Sequence, residues 1–167
     1  MTARFSIERL SKDHDRSRFQ CGSEKIDAYF RQAVSQDVKR NYATCFVARE
    51  IATGKVAGFY TLSSSNIPLV EIPPAMARKL PRYPTVPAVL IGWLARDLSF
   101  RGANLGPVLL FDAIRTVATA PLGAHAVFAE AIDQKAAASY EGFGFMPLTG
   151  KPLTFFLPIE TARGLIA

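Results

Sequence analysis

Residues 89 to 94, Val-Leu-Ile-Gly-Trp-Leu, form an unbroken apolar run between Pro87 and Arg96. A run of that kind with no polar face belongs to a strand covered on both sides. The fold is therefore layered, with other elements packed above and below a sheet. Directly after it comes a basic, glycine-bearing loop, Arg96 to Gly106, which opens into Pro-Val-Leu-Leu-Phe-Asp-Ala-Ile-Arg-Thr-Val. Pro107 suits the first turn of a helix, where its missing N–H is not needed. Leu110, Ala113, Ile114 and Val117 then recur at helical spacing and give that helix an apolar stripe. A loop that opens a helix presents the unpaired N–H groups of the first turn at the positive end of the dipole, which suits an anion.

The flanking segments supply the other layers. Ser23 is placed to cap a helix starting at Glu24, whose apolar stripe runs through Ile26, Tyr29, Phe30, Ala33, Val34 and Val38 and ends at Lys39-Arg40. Residues 43–48 and 56–62 are β-rich and joined by a turn at Thr53-Gly54, which predicts a hairpin. Residues 66–87 hold six of the eleven prolines, so the expectation there is an irregular excursion with room only for a short helix near Ala75–Leu80. Residues 124–131 and 154–157 read as further strands, and Asp133 as the cap of another helix. The predicted order is helix, hairpin, excursion, strand, helix, strand, helix, strand. That is an α/β domain, read as a single domain over residues 1–167.

Composition narrows the chemistry. Hydrophobic residues make up 49% and charged residues 20%, the balance of a folded globular chain. No apolar run reaches the length of a membrane span, and the N-terminal stretch lacks the apolar core of a signal peptide, so the expected location is the cytoplasm. In that reducing setting Cys21 and Cys45 are read as free, partly buried thiols. His14 and His125 form no ligand spacing with them, and no metal site is expected. There is no Gly-x-Ser-x-Gly elbow, and Ser63-Ser64-Ser65 reads as a strand exit. No Gly-Lys-Ser/Thr loop or Gly-x-Gly-x-x-Gly fingerprint is present, which excludes the usual nucleotide loops. The net charge of +6 is uneven: residues 1–50 hold ten Lys/Arg against seven Asp/Glu, and residues 76–116 hold six against two. Such a surplus attracts phosphates, whether of a coenzyme or of an RNA backbone, or stands as a solvated surface with no partner.

Two segments in order carry a resemblance. Arg101-Gly102-Ala103-Asn104-Leu105-Gly106 resembles the Arg/Gln-x-x-Gly-x-Gly/Ala pyrophosphate loop of the GNAT acetyltransferase superfamily. Some thirty residues later, Tyr140-Glu-x-x-Gly-Phe resembles the close of the helix that carries that family's general acid. The resemblance spans nearly the whole chain. It implies a GNAT-like mixed, mostly antiparallel central sheet flanked by helices, and acetyl-CoA as acetyl donor with no metal. It places the coenzyme on Leu94, Ala95 and Arg96 at the splayed end of the central strand, and on Arg101, Gly102, Ala103, Asn104, Leu105, Gly106 and Pro107. Tyr140 would face the sulfur of the coenzyme. Asn104 departs from the pattern, standing where the family usually has glycine; Asn tolerates left-handed backbone better than most residues.

The residues agree with acyl transfer to an amine. A tyrosine, with a reference pKa near 10, is protonated at neutral pH and has a proton to give to a departing thiolate. The alternative for Tyr140 is an ordinary helix-face aromatic. No carboxylate stands out as general base. A lysine amine, at about 10.4, would need one, whereas an α-amine at about 7.7–8.0 is substantially free at neutral pH.

Further segments resemble a narrower group. Phe19-Gln20-Cys21-Gly22, Ile26-Asp27-Ala28-Tyr29-Phe30, Phe46-Val47-Ala48, Gly58-Phe59-Tyr60-Thr61-Leu62-Ser63 and Leu80-Pro81-x-Tyr83-Pro84-x-x-Pro87 are similar to the acetyltransferase toxins of bacterial toxin–antitoxin modules. The resemblance implies acetylation of the α-amine on aminoacyl-tRNA, a block of translation and control by a ribbon–helix–helix antitoxin, and it leaves room for a homodimer. Lys39, Arg40, Arg78, Lys79, Arg82 and Arg96 are the candidates for RNA phosphates. Tyr60 and the Leu80–Pro87 loop either line the acceptor side or serve as core packing and a rigid connector. Trp93 stands where the family often has Arg; either Arg96, near in sequence, carries that charge or the choice of tRNA differs. Two other readings remain: an acetyltransferase of small amines or protein N-termini, and a non-catalytic module binding acyl-CoA or nucleic acid.

Overall fold

The computed structural model describes residues 3–167. Seven strands form one sheet in the order β1-β2-β3-β4-β5-β7-β6. They are β1 (Phe5–Arg9), β2 (Thr44–Glu50), β3 (Val56–Pro68), β4 (Thr85–Arg96), β5 (Ala126–Glu130), β6 (Met146–Leu148) and β7 (Lys151–Pro158). The β1/β2, β2/β3, β5/β7 and β6/β7 pairs are antiparallel, and β4 runs parallel to β5. The sheet is thus mixed and mostly antiparallel, as expected. By its contacts the chain falls into two compact units.

The first unit holds the described residues up to Ser63 together with Gly92–Ala113. Its first helix begins where expected: Ser23 caps α1 (Glu24–Ala28) by accepting the Ile26 N–H. A π turn follows at Tyr29–Ala33, and then α2 (Val34–Lys39). Ile26, Phe30 and Val34 are buried with Phe19, Val47 and Phe59, and Val38 packs against them. Phe30 lies flat on Phe59 at 4.0 Å between ring centres. Alternate side chains of a strand face opposite ways, so the neighbours of Phe59 look to the other side. Gly58 meets Leu105 and Leu109 of α4 (Leu105–Thr119), and the Tyr60 hydroxyl donates to Asp112 Oδ2 at 2.6 Å. Both cysteines are free; burial raises Cys21 to about 11 and Cys45 to about 12, so neither thiol is a nucleophile at neutral pH.

The second unit holds Ser64–Ile91 and Ile114–Ala167. Ile67, Ile72, Val86, Ala88, Ala126, Leu148 and Phe156 form its buried cluster, with Met76, Ala77 and Leu80 packed on it. Asp133 caps α5 (Gln134–Gly142) by accepting the Ala136 N–H at 2.8 Å.

Several expectations are corrected. Ser63-Ser64-Ser65 lies inside β3, which continues to Pro68 rather than ending at Leu62. The proline-rich segment also gives up its last residues to β4, which begins at Thr85 and includes Pro87. Pro87 is tolerated because it contributes only its carbonyl, which accepts the His125 N–H at 2.8 Å. The short helix is α3 (Pro74–Ala77), earlier than expected. Strands β1 and β6 and helix α6 (Ile159–Ile166) were not expected at all. Among the described residues no helix is long and apolar enough to cross a membrane.

Candidate active site

The close of β4 and the start of α4 build the site in the first unit. A Cβ on Gly58 would stand 2.9 Å from the Ala95 carbonyl oxygen and 2.9 Å from Leu109 Cδ1. Only glycine there lets the helix start lie this close to the strands. After Arg96 the chain turns at Asp97, whose carboxylate accepts the Ser99 N–H (2.9 Å), the Ser99 hydroxyl (2.6 Å) and the Gln20 N–H (2.9 Å). Burial opposes the Asp97 charge, but those donors outweigh it and hold the carboxyl below its ordinary value.

The loop then takes the shape its sequence suggested. Gly102 has φ +82°, and Asn104 φ +58°. Both are left-handed, so Asn104 does the work of a glycine at this point. Arg101 and Ala103 use their N–H groups inside the turn, donating to Leu98 (3.3 Å) and Phe100 (3.2 Å). The N–H groups of Gly102, Asn104, Leu105 and Gly106 have no acceptor among the described residues, and no acidic residue stands in the first turn of α4. At the end of β4, Arg96 Nη1 is buried without a partner. A buried N–H left unpaired costs about 1–3 kcal/mol, so Arg96 Nη1 favours an acceptor. Arg101 is exposed, its Nε donating to the Leu98 carbonyl at 3.2 Å.

Tyr140 belongs to the second unit, on the last turn of α5. It is 8% exposed, its ring 5.3 Å from that of Phe145 and 6.1 Å from that of Phe155. The helix closes behind it: Phe143 and Phe145 donate their N–H groups to the Tyr140 carbonyl (3.0 and 3.1 Å), and Gly144 turns left-handed at φ +94°. That closure gives the Gly-Phe of the motif a structural reason. The Tyr140 hydroxyl has no hydrogen bond among the described residues and is not sealed from solvent. Burial pushes its pKa up to about 12, so it is a proton donor rather than a base.

The remaining candidates sort by exposure. Lys39, Arg40, Arg78, Lys79 and Arg82 are exposed, while Arg96 is half-buried. Tyr60 is wholly buried on Asp112, which favours core packing over a place on the acceptor side. The Trp93 ring lies flat on that of Tyr29 at 4.2 Å, and the Trp93 backbone N–H donates to the Thr61 hydroxyl at 3.1 Å. His14 is taken up by Glu8, at 2.8 Å from Nε2, and by the Ser11 N–H, at 3.0 Å from Nδ1. Sequence reasoning missed Asp97, whose Asp-x-Ser spacing is an Asx-turn signal. It also missed a cavity of about 680 Å³ near that turn, lined in part by Asp15, Arg18, Lys55 and Asp97.

The architecture is that of the GNAT acetyltransferases. A tyrosine-to-phenylalanine mutant of KacT superposes with a TM-score of 0.91 at 26% identity, covering 98% of this chain and 99% of that one. AtaT complexed with acetyl-methionyl-tRNAfMet gives 0.89 at 28%, with the same coverage. AtaTR bound with acetyl-CoA gives 0.84 at 28%, covering 98% of each. No protein-family model matches the chain. Among curated proteins, a tRNA-acetylating toxin of Mycobacterium tuberculosis is 33% identical over 160 residues, 95% of this chain and 94% of that protein. A probable toxin TacT of Sinorhizobium fredii is 30% identical over 162 residues, 92% of this chain and 90% of that protein. The chain belongs to the tRNA-acetylating toxins of toxin–antitoxin systems, within the GNAT family.

Proposed function

We propose that this chain transfers an acetyl group from acetyl-CoA to the α-amine of an aminoacyl-tRNA and so blocks translation, under the control of a ribbon–helix–helix antitoxin. The observation that carries the reading is the set of four unpaired N–H groups at Gly102, Asn104, Leu105 and Gly106, with the buried, unpartnered Arg96 Nη1 at the end of the preceding strand. Such donors suit the pyrophosphate of a coenzyme, and acetyl-CoA is bound in the AtaTR structure. The acetylated aminoacyl-tRNA bound to AtaT supports the acceptor. An AtaT structure with the C-terminus of the antitoxin AtaR supports a protein partner.

Each residue then has a part. The loop N–H groups and Arg101 hold the diphosphate, with Ala103 and Pro107 fixing the loop and the helix start around it. Backbone N–H groups at Leu94, Ala95 and Arg96 stabilise the carbonyl oxygen as it gains charge. The substrate α-amine attacks unprotonated, which removes the need for a general base. As the new C–N bond forms and the C–S bond breaks, Tyr140 gives its proton to the departing sulfur, and the proton lost from the nitrogen as the amide forms restores the phenol by way of water. Lys39, Arg40, Arg78, Lys79 and Arg82 supply the charge that draws in the tRNA.

Labelled acetyl-CoA incubated with total aminoacylated tRNA, beside a deacylated control, tests the whole reading. Label is expected on the charged RNA alone. Label in the deacylated control, or on small amines only, would count against it.

A further inference from the structure

We propose that Tyr83 is a stacking platform for an unpaired RNA base, with Arg78, Lys79 and Arg82 holding the neighbouring phosphates. Tyr83 is 71% exposed and makes no hydrogen bond or ring contact among the described residues. Its support, by contrast, is fixed. Pro81 and Pro84 flank Arg82-Tyr83 and restrict the backbone on both sides. On one side Leu80 is packed on the buried cluster of the second unit, and its N–H donates to the Ala77 carbonyl at 3.0 Å. On the other side the Pro84 carbonyl accepts the Leu69 N–H at 2.9 Å. A ring with two rotatable bonds on a pinned loop loses little entropy when it is covered.

The charges around it decide what covers it. Arg78, Lys79 and Arg82 are exposed, and none has an ion pair among the described residues. From Ile72 to Arg96 the sequence holds no Asp or Glu. By contrast, Lys151 of the same unit is paired with Glu71 at 3.1 Å. A protein-binding surface would centre on apolar groups and be depleted of lysine, whereas this segment offers one aromatic face among three uncompensated cations. That combination fits a single strand, whose bases are free to leave their own stack, and does not fit a duplex, whose bases are not. The inference rests on the tRNA reading above, because the amino acid is carried on the unpaired 3′ end of a tRNA.

The test uses the full chain and two fluorescein-labelled RNAs of equal length, one single-stranded and one a blunt hairpin, with binding read by anisotropy. Tyr83→Ala is expected to weaken single-strand binding about tenfold, or about 1.4 kcal/mol, and hairpin binding by less than about twofold. Tyr83→Phe keeps the ring and is expected to stay within about twofold of the parent on both. Joint neutralisation of Arg78 and Lys79 is expected to weaken both RNAs. An equal loss on the two RNAs, no loss in Tyr83→Ala, or a Phe variant as weak as the Ala variant would overturn the platform. So would a change in self-association with RNA binding intact, which would make the surface a protein contact. Acetylation of charged tRNA by the parent chain separates the two proposals. A parent that acetylates, with an unchanged KM for charged tRNA in Tyr83→Ala, sinks the platform alone. A parent that does not acetylate, with single-strand binding selectively lost in the variant, sinks the substrate reading alone.

Discussion

Tyr140 gains its proposed role from what surrounds it. The ring is packed against Phe145 and Phe155, so replacement by Phe leaves that packing in place, and no hydrogen bond within the described residues is lost. Tyr140→Phe is therefore expected to melt near the parent temperature and bind acetyl-CoA as before, while turnover falls by about 10²–10⁴-fold; unchanged turnover would remove the residue from the mechanism. The pH profile carries a second expectation. The hydroxyl ionises near its ordinary value of 10 in the unfolded chain and near 12 in the folded one, because burial penalises the charged form. Below pH 10 both states are neutral and no stability is lost. Above it the unfolded chain ionises first, so stability falls as pH rises toward 12. The rate should climb with the substrate amine, at about pH 7.7–8.0, and then stay level to about pH 10. Arg101 is the other side chain open to a direct test, being exposed at the mouth of the loop. Arg101→Glu is expected to weaken acetyl-CoA binding at least about tenfold, close to 1.4 kcal/mol, by calorimetric titration. Equal affinity would mean that the loop does not hold the diphosphate.

Among the elements, the junction of β3, β4 and α4 bears the most weight. In Gly58→Ala the new methyl group meets a main-chain oxygen and Leu109 at 2.9 Å, and a backbone carbonyl has little freedom to move aside. The variant is expected to lose about 1–3 kcal/mol on chemical denaturation, the cost of an overpacked core. It should also bind acetyl-CoA less tightly, because the start of α4 is what is displaced. The elements that were legible in the sequence are those with a local signature. These include the apolar run at Val89–Leu94, the stripe and Pro107 of α4, the caps Ser23 and Asp133, and the Gly54 turn. What escaped was set by partners. Phe5–Arg9 is a strand because Phe46–Glu50 pairs with it, and Met146–Leu148 because β7 does. Pro87 looked like a barrier to a strand only until its carbonyl had a use. The left-handed turn of the candidate-site loop was legible, including its tolerance of Asn104, but the Asp97 carboxylate that organises its start was not. The orphaned Arg96 Nη1 was not, because burial of one atom leaves no mark in sequence.

For the molecule as a whole, the +6 charge is the property that solution conditions move most easily. Binding of charged tRNA should weaken log-linearly with salt, with a slope of about −0.7 to −0.9 for each phosphate neutralised. Neutralising Arg78 and Lys79 together should flatten that slope and leave acetyl-CoA hydrolysis without RNA untouched. Acetylation that is indifferent to salt between about 50 and 200 mM would argue for a small acceptor instead. The first helix holds one further consequence. Its apolar residues Ile26, Phe30, Val34 and Val38 recur every four positions, and on a regular α-helix that spacing precesses about 40° at each step. The π turn at Tyr29–Ala33 takes up the drift, and it lets the Tyr29 hydroxyl reach Asp37, eight residues on, at 2.8 Å. A counterpart with a plain helix here would therefore be one residue shorter within the helix itself. Any sequence alignment that moves that gap into a neighbouring loop will misassign every position from Tyr29 to the gap.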